Sequence, residues 1–279
     1  MLQLLQLRSR LRSALALVAC GVALVSSAPM TSGAQAPNLD DLRARAEAGS
    51  ADAQYELAGL YGRSDSPVAR DLAQAVSWLR RAAEQGHEAA QASVAIYYLT
   101  GEGVARDPAE AARWWRLAAR QGNVFAQHNL GMLYQGMPAP YRGDDDPPVD
   151  HDEAVRWFLQ AATQDHVPAI NMLAIKYRDG DGIPQDLGQA FRWYRRASEL
   201  GMVEAMSEVG SMYAAGRGTE PDDLEAYMWL HLATLHTSGG HREVLLIDRE
   251  MVAERLTSTQ IAEAERRADA WRPTPGATR

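Results

Sequence analysis

The 279-residue chain is poor in cysteine, lysine and phenylalanine. A single Cys excludes a disulfide framework and a cysteine-built zinc module. Positive charge is also short. Acids outnumber bases by 36 to 28, for a net charge of −8, whereas a nucleic-acid footprint or an anionic-lipid surface calls for a basic excess. No apolar run reaches the ~20 residues of a spanning helix. The seven histidines include no i, i+4 pair of the metal-ligating kind. There is no Gly-x-Ser-x-Gly elbow, no phosphate-cradling glycine loop and no His-Glu-x-x-His. These absences point away from catalysis, from a resident metal and from any cofactor.

The amino terminus reads as an address. Arg8, Arg10 and Arg12 precede an apolar stretch from Ala14 to Val25, and small residues follow up to Ala34. That order is the signature of a secretory signal peptide, here assigned to residues 1–34 with Gln35 as the new terminus. Loss of three arginines and no acid takes the net charge from −8 to −11. The expected location is outside the cytoplasm, in a periplasm. Cys20, within Leu17-Val18-Ala19-Cys20-Gly21, resembles a lipoprotein box. Lipidation at Cys20 and anchoring to an outer membrane is therefore the alternative, with secretion as another. The residues after Cys20 remain apolar, where a lipoprotein turns polar.

What the rest of the chain has is repetition. Asp71, Asp107, Asp150, Asp186 and Asp222 recur at spacings of 36, 43, 36 and 36. Each is followed by Ala at +4, Trp at +7 (Trp78, Trp114, Trp157, Trp193, Trp229) and Ala at +11. Upstream, each unit carries an Ala, an aliphatic residue at +4 and a Tyr at +8, as in Ala90, Val94 and Tyr98. These offsets each mark one helical face, so a unit reads as helix A, turn, helix B. The glycine-rich turns (Gly101-Glu-Gly103, Gly180-Asp-Gly182, Gly216-Arg-Gly218) supply positive φ. Each Asp has Gln or Glu three residues later, the pattern of an N-cap with a capping-box partner. The five Asp and five Trp are thus structural.

The run Ala-x-x-x-Leu/Val … Tyr-x-x-Gly-x-Gly … Asp-x-x-x-Ala-x-x-Trp-x-x-x-Ala resembles the consensus of the Sel-one-like repeat family, solenoids akin to tetratricopeptide repeats. The resemblance implies an all-α, right-handed α/α superhelical solenoid of helix-turn-helix repeats. Residues 1–34 are the signal peptide and 35–52 a linker with a capping helix. Five repeats follow at 53–88, 89–125, 126–168, 169–204 and 205–238. A helical cap occupies 239–272 and a loose tail 273–279. Three departures stand out. Ser64 and Ser66 replace the first turn's glycines, Asp165 replaces a terminal Gly, and seven extra residues lie within 136–149. The acids of that insert, Asp144 to Asp146 with Asp150 and Asp152, read as a solvated loop or a weak cation site.

The resemblance also implies function. Helix A lines the concave groove of such solenoids, and its groove positions map here to Tyr55, Ile96, Leu99, His128, Met132, Gln135, Asn171, Ile175 and Arg178. Ile96, Met132 and Ile175 would form an apolar stripe with polar flanks, the surface a peptide or helix partner uses. The expected role is a non-catalytic protein-interaction scaffold of a bacterial cell envelope, with a protein or peptide partner. An outer-membrane lipoprotein within an envelope or export assembly is the alternative. Some members of the family are associated with β-lactams. That hydrolase reading lacks its Ser-x-x-Lys pair, because Leu173 stands three residues before the only lysine, Lys176.

Overall fold

The computed structural model describes residues 39–138 and 142–274. The assigned signal peptide and Cys20 lie outside them. The described residues form thirteen α-helices and no strand. The chain divides into two compact units, Met1–Asp150 and His151–Arg279, so the division falls where the insert of the third repeat ends.

The first unit holds α1 (Leu39–Glu47), α2 (Ala51–Gly62), α3 (Leu72–Glu84), α4 (Glu88–Thr100), α5 (Pro108–Arg120) and α6 (Val124–Gln135). The second holds α7 (His151–Ala162), α8 (Val167–Asp179), α9 (Leu187–Glu199), α10 (Val203–Ala215), α11 (Asp223–Leu235), α12 (Gly240–Ala253) and α13 (Ser258–Ala270). Within each unit a helix packs on the helix before it and the helix after it, the contact pattern of a solenoid. At the carboxyl end α11 takes both cap helices, α12 and α13.

Alanine sets the packing. The fifteen alanines at the first helix A position and at +4 and +11 of helix B, such as Ala90, Ala111 and Ala118, are all 0% exposed. A methyl group is all that fits between helices this close. The helix A aliphatics Leu57, Val94, Leu130, Leu173 and Val209 are buried beside them. The tryptophans are less uniform. Trp114 and Trp229 are buried, while Trp78, Trp157 and Trp193 are half-buried. Trp115, one place out of register, is 1% exposed and donates its Nε1 proton to the Ala92 carbonyl at 3.2 Å.

Each turn is spliced by the same bond. The amides of Asp71, Asp107, Asp150, Asp186 and Asp222 donate to the carbonyls of Tyr61, Tyr98, Tyr134, Tyr177 and Tyr213 at 2.7–3.2 Å. One orphan carbonyl at the end of helix A is thereby satisfied. Four of these aspartates also cap helix B, accepting from the amides of Gln74, Glu110, Gln189 and Glu225 at 2.9–3.0 Å. The reciprocal half of the expected capping box does not form in those four. Where the +3 residue is an acid it bonds elsewhere: Trp229 Nε1 donates to Glu225 at 3.1 Å, Arg113 donates to Glu110 at 2.8 and 2.6 Å, and in the third repeat Trp157 Nε1 donates to Glu153 at 2.9 Å. A complete capping box occurs at α13, between Thr257 and Gln260.

The departures have local explanations. Asp165 adopts φ 59°, the left-handed region that Gly86, Gly122 and Gly201 occupy elsewhere. Asp is among the residues that tolerate it, and Arg196 grips its carboxylate with two bonds of 2.9 and 2.6 Å. The insert's acids are not a free cluster. Asp145 and Asp146 both pair with Arg106, and Asp146 accepts from the Gly143 amide at 3.2 Å. Helix α1 behaves as a lone helix B, with Leu42 and Ala46 buried against Ala53 and Leu57. Trp271 meets Trp229 edge-on at 6.2 Å. The tail was expected to be loose from residue 273. Thr274 instead donates its amide to the Glu199 carbonyl at 2.8 Å, holding the chain down one residue further on.

Gly103 has φ 70°, and a Cβ there would lie 2.5 Å from the Leu72 carbonyl oxygen at the head of the preceding helix B. Gly103→Ala is expected to cost about 1–3 kcal/mol from the strained φ and the clash together. Trp114→Ala should cost about 3–5 kcal/mol as a buried truncation, and Trp157→Ala, half-exposed, roughly 1–3 kcal/mol. Denaturant titration of the three variants checks both the values and the ranking. Equal losses for the two tryptophans would contradict the packing described.

Candidate binding surface

The nine groove positions do not share one environment. In the first unit Tyr55 is half-buried and stacks on His87 with centroids 4.7 Å apart. His87 caps α4, its Nδ1 accepting from the Ala90 amide at 3.2 Å. Ile96 is half-exposed, whereas Leu99 is 3% exposed. His128 and Met132 are each 4% exposed, among eight buried residues in the twelve of α6. Gln135 is half-buried, its Nε2 resting 3.1 Å from Met132 Sδ. In the second unit Asn171 is buried, Ile175 is half-exposed and Arg178 is half-buried.

Leu99, His128, Met132 and Asn171 therefore belong to the core and not to a partner surface. Of the three residues of the expected stripe, Ile96 in the first unit and Ile175 in the second are accessible, and Met132 is not. The physical reason is that helix A packs against a helix B on each side, and large neighbours cover positions that a bare periodicity leaves open. Trp115 against Ala92 is one such case.

Arg178 is anchored. It donates to Asp179 at 2.8 and 3.0 Å and to Glu208 at 3.1 Å, and its guanidinium lies over Tyr194 at 5.9 Å. The bond to Asp179 raises the Arg178 pKa above its ordinary value. Burial raises that of the Tyr194 phenol.

A set of residues that the sequence reading overlooked lies one place after the first alanine. Gln54, Gln91 and Gln127 are each 4% exposed. Each donates back to the preceding helix, to the carbonyls of Ala46, Ala83 and Ala119 at 3.0–3.2 Å. Gln85 and Gln121 donate in turn to the Gln54 and Gln91 carbonyl oxygens at 2.8 Å. In the second unit the same position is apolar, Ile170 and Met206. The signal was available as an in-register Gln, hidden because buried amides share no periodic hydrophobicity.

Lys176 and His231 are engaged with neighbouring side chains. Lys176 is 1% exposed and bonds the Asp181 carboxylate at 3.1 Å, with His151 Nδ1 at 3.4 Å. His231 Nδ1 lies 3.2 Å from Arg249. Burial, with the Arg249 charge adding to it, lowers the His231 pKa. Among the described residues no group of three or more His, Cys, Asp or Glu could hold a metal ion. No helix among them is long and apolar enough to cross a membrane.

The Sel1 repeat model matches the chain five times, at residues 51–87, 88–123, 124–166, 167–202 and 203–236. Two solved structures are similar. One is a protective antigen present in uropathogenic Escherichia coli strains that displays an SLR fold. It is 31% identical with a TM-score of 0.65, over 86% of this chain and 54% of that one. The other is a Sel1 repeat protein from Oxalobacter formigenes, 29% identical with a TM-score of 0.61, over 75% of this chain and 58% of that one. The chain thus spans little more than half the length of either. No protein of curated function matches it.

One titration follows from this surface. Burial lowers the His166 pKa from 6.5 to about 4. The unfolded chain takes up a proton there below about pH 6.5, and the folded chain does so only near pH 4. Stability from this residue is complete above pH 6.5 and is lost as pH falls toward 4, by roughly 1–3 kcal/mol. His166→Gln should flatten that part of a stability-against-pH curve measured by denaturant titration. A slope equal to that of the parent protein would refute the assignment.

Proposed function

The chain belongs to the Sel1 repeat family, and from that membership we propose that it is a non-catalytic scaffold holding a protein or peptide partner on its helix A faces. Proteins of this family are generally protein–protein interaction scaffolds. One observation carries the proposal: the contrast between the wholly buried alanine frame and the helix A positions that remain accessible. Those positions are Tyr55, Ile96 and Gln135 in the first unit and Ile175 and Arg178 in the second. Their side chains are an aromatic ring, two aliphatic residues, an amide and a cation, the mixed chemistry of a recognition surface. The compartment we propose is the envelope of a bacterium. The charged, apolar, small-residue order of residues 1–34 supports it. A β-lactam-directed enzyme is disfavoured, since the only lysine is buried and paired with Asp181.

Site-specific photocrosslinking in the source bacterium tests the reading. A crosslinker at Ile96 or Ile175 is expected to trap a discrete adduct, and one at Arg80, exposed on helix B, is not. Equal labelling from all three positions would overturn the helix A surface. The mass of the mature protein tests the compartment. A chain beginning at Gln35 is expected. Acylated Cys20 would replace the free periplasmic form with the lipid-anchored one, and an unprocessed Met1 would remove export altogether.

A further inference from the structure

We propose that an arginine-lined cleft on α9, apart from the helix A surface, binds a compact multivalent oxyanion, a ligand bearing several carboxylate or phosphoryl oxygens. The cleft is an open depression of about 570 Å³ within the second unit. Arg192, Arg195 and Arg196 line it from α9, and the Gly218-Thr219 turn between α10 and α11 lines it from the next repeat. Glu199 is the one acid among its lining residues. Glu199 balances Arg195 and Asp165 balances Arg196, so the positive charge left over at the cleft is that of Arg192, on a chain whose net charge is −8.

The repeat register shows what is unusual here. Arginine at +6, +9 and +10 of helix B occurs together only in the fourth repeat. The first has Ser77, Arg80 and Arg81, the second Arg113, Arg116 and Leu117, and the third Arg156, Leu159 and Gln160. In the second and third repeats the +6 arginine is neutralised within its own helix. Arg113 pairs with Glu110 at 2.6 Å and Arg156 with Glu153 at 3.5 Å. In the fourth, Gln189 replaces that acid. Arg192 is exposed and forms no ion pair or side-chain hydrogen bond with any described residue.

Its two neighbours are held in place. Arg195 bonds Glu199 at 3.2 Å, and Arg196 is fixed by Asp165 at 2.6 Å. The cleft therefore offers one uncommitted fork beside two pre-ordered ones, and a guanidinium fork matches carboxylate and phosphoryl oxygens in paired bonds. The floor is preformed. Gly188 and Gly218 contribute no side chain, and Phe191 is fixed edge-on against Tyr213 at 4.9 Å. Gly218 has φ 74°, and a Cβ there would collide with the Leu187 carbonyl. An open depression lined by three arginines suits a compact anion.

Isothermal titration at low ionic strength, with pyrophosphate and citrate as separate probes and sodium chloride at matched ionic strength as the blank, tests the proposal. Saturable binding at one site is expected for at least one probe. Arg192→Gln should weaken it about tenfold or more, or ~1.4 kcal/mol, while leaving the thermal melt unchanged because Arg192 supports no other contact. Arg113→Gln, the same position in the second repeat, should leave binding unchanged. No saturable heat from either probe, or equal weakening by both variants, would overturn the site. Binding of an acidic Asp/Glu peptide in place of both small anions would overturn the assignment to a compact ligand.

Discussion

One backbone hydrogen bond organises every repeat. The amide of an aspartate at the head of helix B donates to the carbonyl of a tyrosine at the tail of helix A, five times over. It ties the two helix ends together and sets where helix B begins. From that start the +4 and +11 alanines and the +7 tryptophan follow by helical geometry. The third repeat shows how strongly the bond governs the turn. Tyr134 and Asp150 are sixteen positions apart, against nine or ten elsewhere, yet their bond is 2.8 Å. The extra residues loop out between two fixed points, and lengthening a loop costs little entropy.

The alanine frame is the second layer of the same design. Zero exposure at three positions in all five repeats leaves no room for anything larger. Substitutions that interrupt the frame are each repaired locally. Asp165 stands in for a glycine and is held by Arg196. Arg63 ends α2 in an extended conformation, without a left-handed glycine, and bonds Asp65 at 2.8 and 2.7 Å.

The helical repeat was legible in the sequence because its determinants are small, apolar and periodic. Alanine, tryptophan and the capping aspartate recur at intervals that only a helix converts into a face. What escaped depends on the size and pairing of neighbours. The family resemblance, carried over by offset, placed Leu99, His128, Met132 and Asn171 on a groove, yet these four are buried. Two of the expected capping boxes are lost to competitors for the +3 carboxylate, the Trp229 indole at Glu225 and the Arg113 guanidinium at Glu110. The buried glutamines of the first unit carry a hydrogen-bond pattern that no hydrophobic period reveals. The freedom of Arg192 was readable only after the ion pairs of Arg113 and Arg156 showed what Gln189 removes.

The splice is the claim on which the rest stands, and native-state hydrogen exchange measures it directly. The amides of Asp71, Asp107, Asp150, Asp186 and Asp222 should exchange as slowly as helical amides, on the order of a hundredfold or more behind the exposed Glu102 amide in the turn between Tyr98 and Asp107. Exchange of the five aspartate amides at the rate of Glu102 would contradict the account, because the helices would then meet without the bond that is held to position them.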